Sequence, residues 1–252
     1  MYRDWELTMA KQDIEITTAD GTARAGLFRA PNGTTAGVIL YMDAFGPRPA
    51  LDGMAERLAA LGYVVLVPDL FYREAPYGPF EAKTAFANEE SAARLRALIA
   101  GTTQAMSTRD TGAFLDALAK QGATGPVGAV GYCMGGARAL NAAAAYPDRI
   151  RAAASFHGGN LAGDNADSPH RRAAEIKAKV YVGTAGVDRS FPPEQSARLA
   201  EALRVAEVDH VIENYVGMGH GWCVPDHSVY DDKGAERHWK RLETFFGEAL
   251  GG

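Results

Sequence analysis

Val127-Gly128-Ala129-Val130-Gly131-Tyr132-Cys133-Met134-Gly135-Gly136 runs from a strand into a helix. Val127 to Gly131 is apolar and of strand length, and Cys133 to Ala145 has helical character up to Tyr146-Pro147. Gly131 to Gly135 places a cysteine two residues from a glycine on each side. That spacing suits a nucleophile on a tight strand-to-helix turn, where neighbours two positions away must be small. A side chain on such a turn stands at the top of the sheet, beside a helix N-terminus. Unpaired N–H groups and the positive dipole end there favour a thiolate and an oxyanion. Two other uses of a glycine-rich turn fit poorly. A dinucleotide fingerprint needs glycine where Val130 stands, and a phosphate-binding loop needs a Gly-Lys-Ser/Thr that is absent. A buried cysteine serving as a small hydrophobe stays open as the plain alternative.

A cysteine nucleophile needs a base, and the base needs an orienting carboxylate. Two later segments offer them. Val180 to Val182 reads as a strand, and Asp188 follows it in Gly186-Val187-Asp188-Arg189-Ser190-Phe191-Pro192. Val211 to Tyr215 reads as the next strand, followed by Gly217-Met218-Gly219-His220-Gly221. Nucleophile, acid and histidine thus occur in the chain order of an α/β-hydrolase, each beyond the end of a strand.

Outward from these segments, strands alternate with helices. Ile14 to Ala25 suggests a hairpin turning at Ala19-Asp20-Gly21, with its second strand reaching Phe28. Gly37 to Met42 and Val64 to Val67 are continuous apolar runs, the mark of strands buried on both faces. Leu51, Met54, Leu58 and Leu61 form a helical stripe ended by Gly62. Ser107 and Asp110 suggest a capping-box start for the helix carrying Phe114, Leu115 and Leu118. Ala152 to Phe156 is a further strand, Pro193 to Arg204 a helix, and Trp239, Leu242, Phe246 and Leu250 the stripe of the last one. The expected fold is α/β, a mostly parallel sheet with helices on both faces. No linker divides the chain, so 1–252 is expected to be one domain. Long insertions near 72–103 and 158–172 break the rhythm and are expected to act as lids.

Composition narrows the function classes. The 252 residues are 47% hydrophobic and 23% charged, with 26 Lys+Arg against 31 Asp+Glu and a net charge of −5. No broad basic surface for nucleic acid is implied. No apolar run approaches the roughly 18 residues of a membrane span. The N-terminal MYRDWELTMAKQD lacks the apolar core of a secretory signal. Two cysteines, Cys133 and Cys223, exclude a disulfide framework and a four-thiolate zinc site. A cytoplasmic monomer or homodimer is expected.

The chain resembles the dienelactone hydrolase (carboxymethylenebutenolidase) family of the α/β-hydrolase superfamily, from about Ile14 to Phe246. Gly131-Tyr132-Cys133-Met134-Gly135-Gly136, Gly183 to Asp188 with Pro192 beyond it, and Gly219-His220-Gly221-Trp222 carry the resemblance. Val67-Pro68-Asp69-Leu70-Phe71 and Glu236-Arg237-His238-Trp239 support it. The resemblance implies Cys133 as nucleophile, His220 as general base and acid, and Asp188 as its orienter. It implies an oxyanion hole made by the backbone N–H groups of Met134 and Ala44. Members that cleave dienelactones carry a thiol-activating glutamate where this chain has Asp43, one methylene shorter. They hold the substrate carboxylate with arginines, one of them at the position of Val224. Arg94 and Arg96 in the first insertion match no motif. These departures argue against a small anionic lactone and leave an ester or lactone as the expected small-molecule substrate.

Phe45, Tyr72, Phe156 and Trp222 are expected to line an apolar acyl pocket, and His157 to touch substrate. Cys223 is expected to pack near the site, and Arg73 and Arg189 to be solvated near its mouth. His170, His227 and His238 show no metal-ligand spacing. The expected reaction is acyl transfer to water with no cofactor or metal. The rivals are a thiol-dependent binding protein on the same fold and a nucleotide-binding oxidoreductase.

Overall fold

The structure, a computed structural model, describes residues 11–251. The reading of the N-terminal segment as lacking an apolar leader falls, for residues 1–10, outside the described residues. A hairpin of β1 (Gln12–Thr18) and β2 (Gly21–Phe28) opens the fold. β3 (Gly37–Tyr41), α1 (Pro49–Ala60) and β4 (Val64–Pro68) follow, then α2 (Glu89–Gly101) and α3 (Gln104–Lys120). β5 (Val127–Tyr132) and α4 (Met134–Ala145) lead to β6 (Ile150–Phe156). β7 (Lys179–Val187), α5 (Pro193–Val205), β8 (His210–Gly219) and α6 (Asp232–Leu250) complete it.

The strands form one eight-stranded sheet in the order β1-β2-β4-β3-β5-β6-β7-β8. β1, β2 and β4 pair antiparallel, and every pairing from β4 to β8 is parallel. Every residue of β3, β4 and β5 is buried, which requires cover on both faces. On one face α1 and α6 lie together, joined by Arg57 to Glu236 at 2.5 Å and by the Arg57 guanidinium over Trp239. α3 and α4 lie together and pack on the sheet, and the Tyr146 hydroxyl at the end of α4 donates to the Thr108 carbonyl. Ile39, Leu40 and Leu66 are fully buried. Each such side chain contributes about 1.5–3 kcal/mol relative to exposure.

Two local expectations change. The helix of Phe114 begins earlier than Ser107: Gln104 opens it, and the Thr103 hydroxyl caps it by accepting the Met106 N–H. Ser107 and Asp110 are buried inside the helix. Asp110 instead accepts two bonds from Arg73 Nη2, at 2.8 and 2.9 Å. Arg73 also binds Asp20, so it is locked in place and not solvated. β7 and β8 also run past the expected ends, through Gly186 and Gly217, as a twisted ribbon with a register shift between Ala185 and Val187.

Candidate active site

The glycines around Cys133 are there for lack of space. A Cβ at Gly131 would sit 1.9 Å from the Gly135 carbonyl oxygen, and one at Gly135 would sit 2.4 Å from that of Tyr41. Strand end and helix start therefore touch backbone to backbone, and Cys133 occupies the turn between them. Its φ of 55° and ψ of −120° lie where L residues are strained. Cys133 is partly exposed, whereas Cys223 is buried and its thiol pKa is pushed well up by that burial. Met134 is the first residue of α4, so its N–H has no partner within the helix.

The sheet register sets the partners of Cys133 side by side. Val187 pairs with Gly219, so the next residues, Asp188 and His220, leave adjacent strands as neighbours. His220 Nδ1 lies 2.7 Å from Asp188 Oδ2. Asp188 Oδ1 accepts the Ser190 N–H at 2.8 Å and the Ser190 hydroxyl at 2.5 Å, and that hydroxyl is 3.1 Å from His220 Nδ1. Ser190 escaped the sequence reading, although Asp-x-Ser is a known local turn pattern. Burial pushes His220 down, but the Cys133 charge, the bonds to Asp188 and Cys133 and the Asp188 charge outweigh it. The imidazole is raised to about 10. Burial pushes Asp188 up, but the bond to His220 and the His220 charge, helped by Ser190, hold it below the usual carboxylate range.

His157 has a different place from the one expected. Tyr132 on β5 pairs with Phe156 on β6, so Cys133 and His157 are also neighbours. The Cys133 N–H donates to His157 Nδ1 at 3.1 Å, and the His157 ring meets the His220 ring edge-on at 5.0 Å. His157 is 1% exposed, and burial holds it well below its usual value. It is therefore a neutral support beneath Cys133.

The cleft above Cys133 and His220 has a volume of about 410 Å³. Its walls come from both insertions: Thr102 and Thr103 on one side, Gly159, Asn160 and Ser168 on the other. The apolar lining expected of Phe45, Tyr72, Phe156 and Trp222 is corrected. Phe156 and Trp222 are fully buried under the site, packed on His238 and His157. Phe45 and Tyr72 line a separate cleft of about 700 Å³ between the hairpin and residues 75–80. The Cys133 cleft is lined by Ile99, Ala100, Met134 and Ala137 beside its polar side chains, and Gln104 and Arg138, which also line it, were missed.

Asp43 makes no hydrogen bond to Cys133. Its Oδ1 accepts the Phe45 N–H at 3.0 Å and Arg48 Nη1 at 2.7 Å. Its Oδ2 accepts Arg48 Nη2 at 2.9 Å and faces His227 Nε2 at 2.9 Å. Arg48 in turn binds Asp226 through Nε and Nη2. These bonds brace the loop that carries Ala44. Burial pushes Asp43 up, yet His227 and Arg48 hold it below the usual range. An Asp43→Ala variant leaves part of a buried ion network without its partner and is expected to lose about 3–5 kcal/mol, read as a lower urea midpoint. The sign with pH follows: Asp43 stabilises above its unfolded pKa of about 3.9, and that contribution drains away as pH falls through its lower folded value. Acid unfolding of the parent should therefore be steeper than that of the variant below about pH 4.

Among the remaining residues, Arg189 is exposed and Val224 is buried. Arg94 and Arg96 are partnered by Glu74 and Glu89 on the surface. His170 faces Ser168, and His238 faces the Tyr132 hydroxyl. No group of three or more His, Cys, Asp or Glu among the described residues could hold a metal ion. No helix among them is long and apolar enough to cross a membrane.

The sequence profile of the dienelactone hydrolase family matches residues 24–250. The chain belongs to the dienelactone hydrolase family. A Synechocystis protein provisionally named a carboxymethylenebutenolidase is 26% identical over 216 residues, 84% of this chain and 86% of that one. A mouse carboxymethylenebutenolidase homolog is 28% identical over 201 residues, 79% of this chain and 75% of that one. A crystal structure from metagenomic libraries, described as a dienelactone hydrolase-like promiscuous phosphotriesterase, matches with a TM-score of 0.80 at 25% identity. That match covers 97% of this chain and all of the other. A Klebsiella pneumoniae structure provisionally described as a dienelactone hydrolase matches in fold with a TM-score of 0.83 at 21% identity. It covers 95% of this chain and 99% of that one. This dienelactone hydrolase family member is thus a hydrolase on an α/β-hydrolase fold, as the order of its strands and motifs suggests.

Proposed function

We propose that this protein hydrolyses a carboxylic ester or lactone with Cys133 as nucleophile, through a covalent acyl-cysteine. The observation that carries the reading is the 2.7 Å bond between His220 and Asp188, set beside the strained Cys133 turn. With its basicity raised to about 10, His220 takes the proton from Cys133. The thiolate sulfur attacks the ester carbonyl carbon, and the electron pair of the C=O moves onto oxygen. The Met134 and Ala44 N–H groups face that oxyanion. Its collapse breaks the bond to the alcohol oxygen, which takes the proton from His220. Neutral His220 then draws a proton from water, whose oxygen attacks the thioester and releases the acid. The thiolate and imidazolium return together.

The test is trapping. A slowly turned-over phenyl ester, quenched in acid, should leave an acyl group on the Cys133 peptide and none on the Cys223 peptide. Iodoacetamide should alkylate Cys133 with a proportional loss of activity. Full turnover by protein alkylated at Cys133 would overturn the reading.

A further inference from the structure

His227 is buried, and the reaction proposed above gives it no part. Its ring joins two loops that the sheet keeps apart. Between β3 and β8 lie β5, β6 and β7. Asp43 and Ala44 follow β3 on one side of β5, His220 follows β8 on the other, and Cys133 follows β5 between them. The chain after His220 returns across this span through tight turns. The Trp222 N–H donates to the Gly219 carbonyl, that of Val224 to Gly221 and that of His227 to Val224. Asp226 and His227 then meet the pair that follows β3. Asp226 accepts Arg48 Nε at 2.6 Å and Nη2 at 2.8 Å, and His227 Nε2 lies 2.9 Å from Asp43 Oδ2. A carboxylate offers only lone pairs, so Nε2 carries the hydrogen and donates.

His227 touches both loops next to their functional atoms. Its ring meets Phe45, the residue after Ala44, edge-on at 5.3 Å. A Cβ on Gly221, the residue after His220, would stand 2.1 Å from its Nδ1. Glycine at 221 thus leaves room for the ring, and its φ of 106° is one that a side chain would strain. The Asp43 carboxylate is held by the Phe45 N–H and two Arg48 nitrogens from its own loop, and by His227 alone from the loop of His220.

We propose that His227 is a positioning residue for the reaction at Cys133: its bond to Asp43 sets the span between the Ala44 N–H and the His220 ring, which reach the sulfur from opposite sides. The proposal rests on the acyl-transfer reading above and names what keeps the two halves of that site in register. The Arg48–Asp226 pair docks the same loops independently, so the fold survives loss of the His227 bond while the spacing relaxes. A misplacement of about 1 Å costs on the order of a hundredfold in rate.

Phenyl acetate hydrolysis by two variants tests this, with urea midpoints to show that each is folded. His227→Phe keeps a ring against Phe45 and Gly221 but has no N–H for Asp43. Its kcat should fall about ten- to hundredfold, with KM changing less than about threefold. His227→Gln places an amide N–H near the position of Nε2 and should recover most of kcat. A folded His227→Phe within twofold of the parent's kcat overturns the proposal, as does a His227→Gln no faster than His227→Phe. If His227→Phe fails to fold, His227→Asn, whose amide is one methylene short of Asp43, replaces it in the same comparison. Failure of the acyl-cysteine reading looks different: Cys133→Ala would then hydrolyse phenyl acetate as fast as the parent. Failure of the present proposal leaves Cys133→Ala inactive and His227→Phe fast.

Discussion

Replacing His220 with alanine is expected to lower kcat for any ester substrate by about ten-thousandfold, with KM changing far less. The size follows from how many steps pass through one ring. In the proposed mechanism the imidazole takes the proton of Cys133, gives one to the leaving alcohol and, once neutral, activates water. Asp188 holds the ring by a 2.7 Å bond, and Ser190 holds Asp188. The same geometry fixes the pH profile. A histidine raised to about 10 keeps its proton from its usual value near 6.5 up to that point. His220 therefore holds its proton at neutral pH and loses it as pH rises through about 10. The parent's kcat/KM should show an alkaline limb there, and Asp188→Asn should move it downward. A His220→Ala variant within tenfold of the parent would remove His220 from the mechanism.

The second large effect is on the fold. Gly131→Ala is expected to destabilise by more than about 4 kcal/mol, a large part of the stability of an ordinary domain. The new methyl carbon would stand 1.9 Å from the Gly135 oxygen and 2.2 Å from its carbonyl carbon. Both are backbone atoms with no rotamer by which to yield. A control separates crowding from mere loss of glycine. Gly53 in α1 has nothing within 4 Å of a Cβ. Gly53→Ala should stabilise by about 0.5–1 kcal/mol through helix propensity. Urea midpoints of the two variants should thus move in opposite directions. A Gly131→Ala protein as stable as the parent would mean that the turn yields to the added methyl group.

Much of the architecture was legible because its causes are local. Buried parallel strands such as Val64–Val67 must be apolar throughout, and the Cys133 turn must carry small neighbours. What escaped depends on contacts between distant segments. Asp110 looks like a cap in sequence, but Arg73, 37 residues away, claims it. Gly186 and Gly217 read as loop, yet β7 and β8 continue through them because each supplies the other's ladder. Phe156 and Trp222 fall beside motif residues and still face the core, whereas the cleft is walled by two insertions that share no pattern. Arg138 sits in an alanine-rich helix, where a lone charge reads as the wet face. Its burial is visible only with Thr102 placed over it.

The order of the strands has one more consequence. Cys133 leaves β5 in the middle of the sheet, Asp188 leaves β7, one strand in from the edge, and His220 leaves β8, the edge strand itself. Marginal strands open at lower free energy than central ones. Because Val187 and Gly219 are partners, Asp188 and His220 travel on one ribbon and part from the sulfur together. The sulfur draws on the stability of the whole molecule and the imidazole on that of its last strand. Catalytic competence is a local equilibrium before it is a global one.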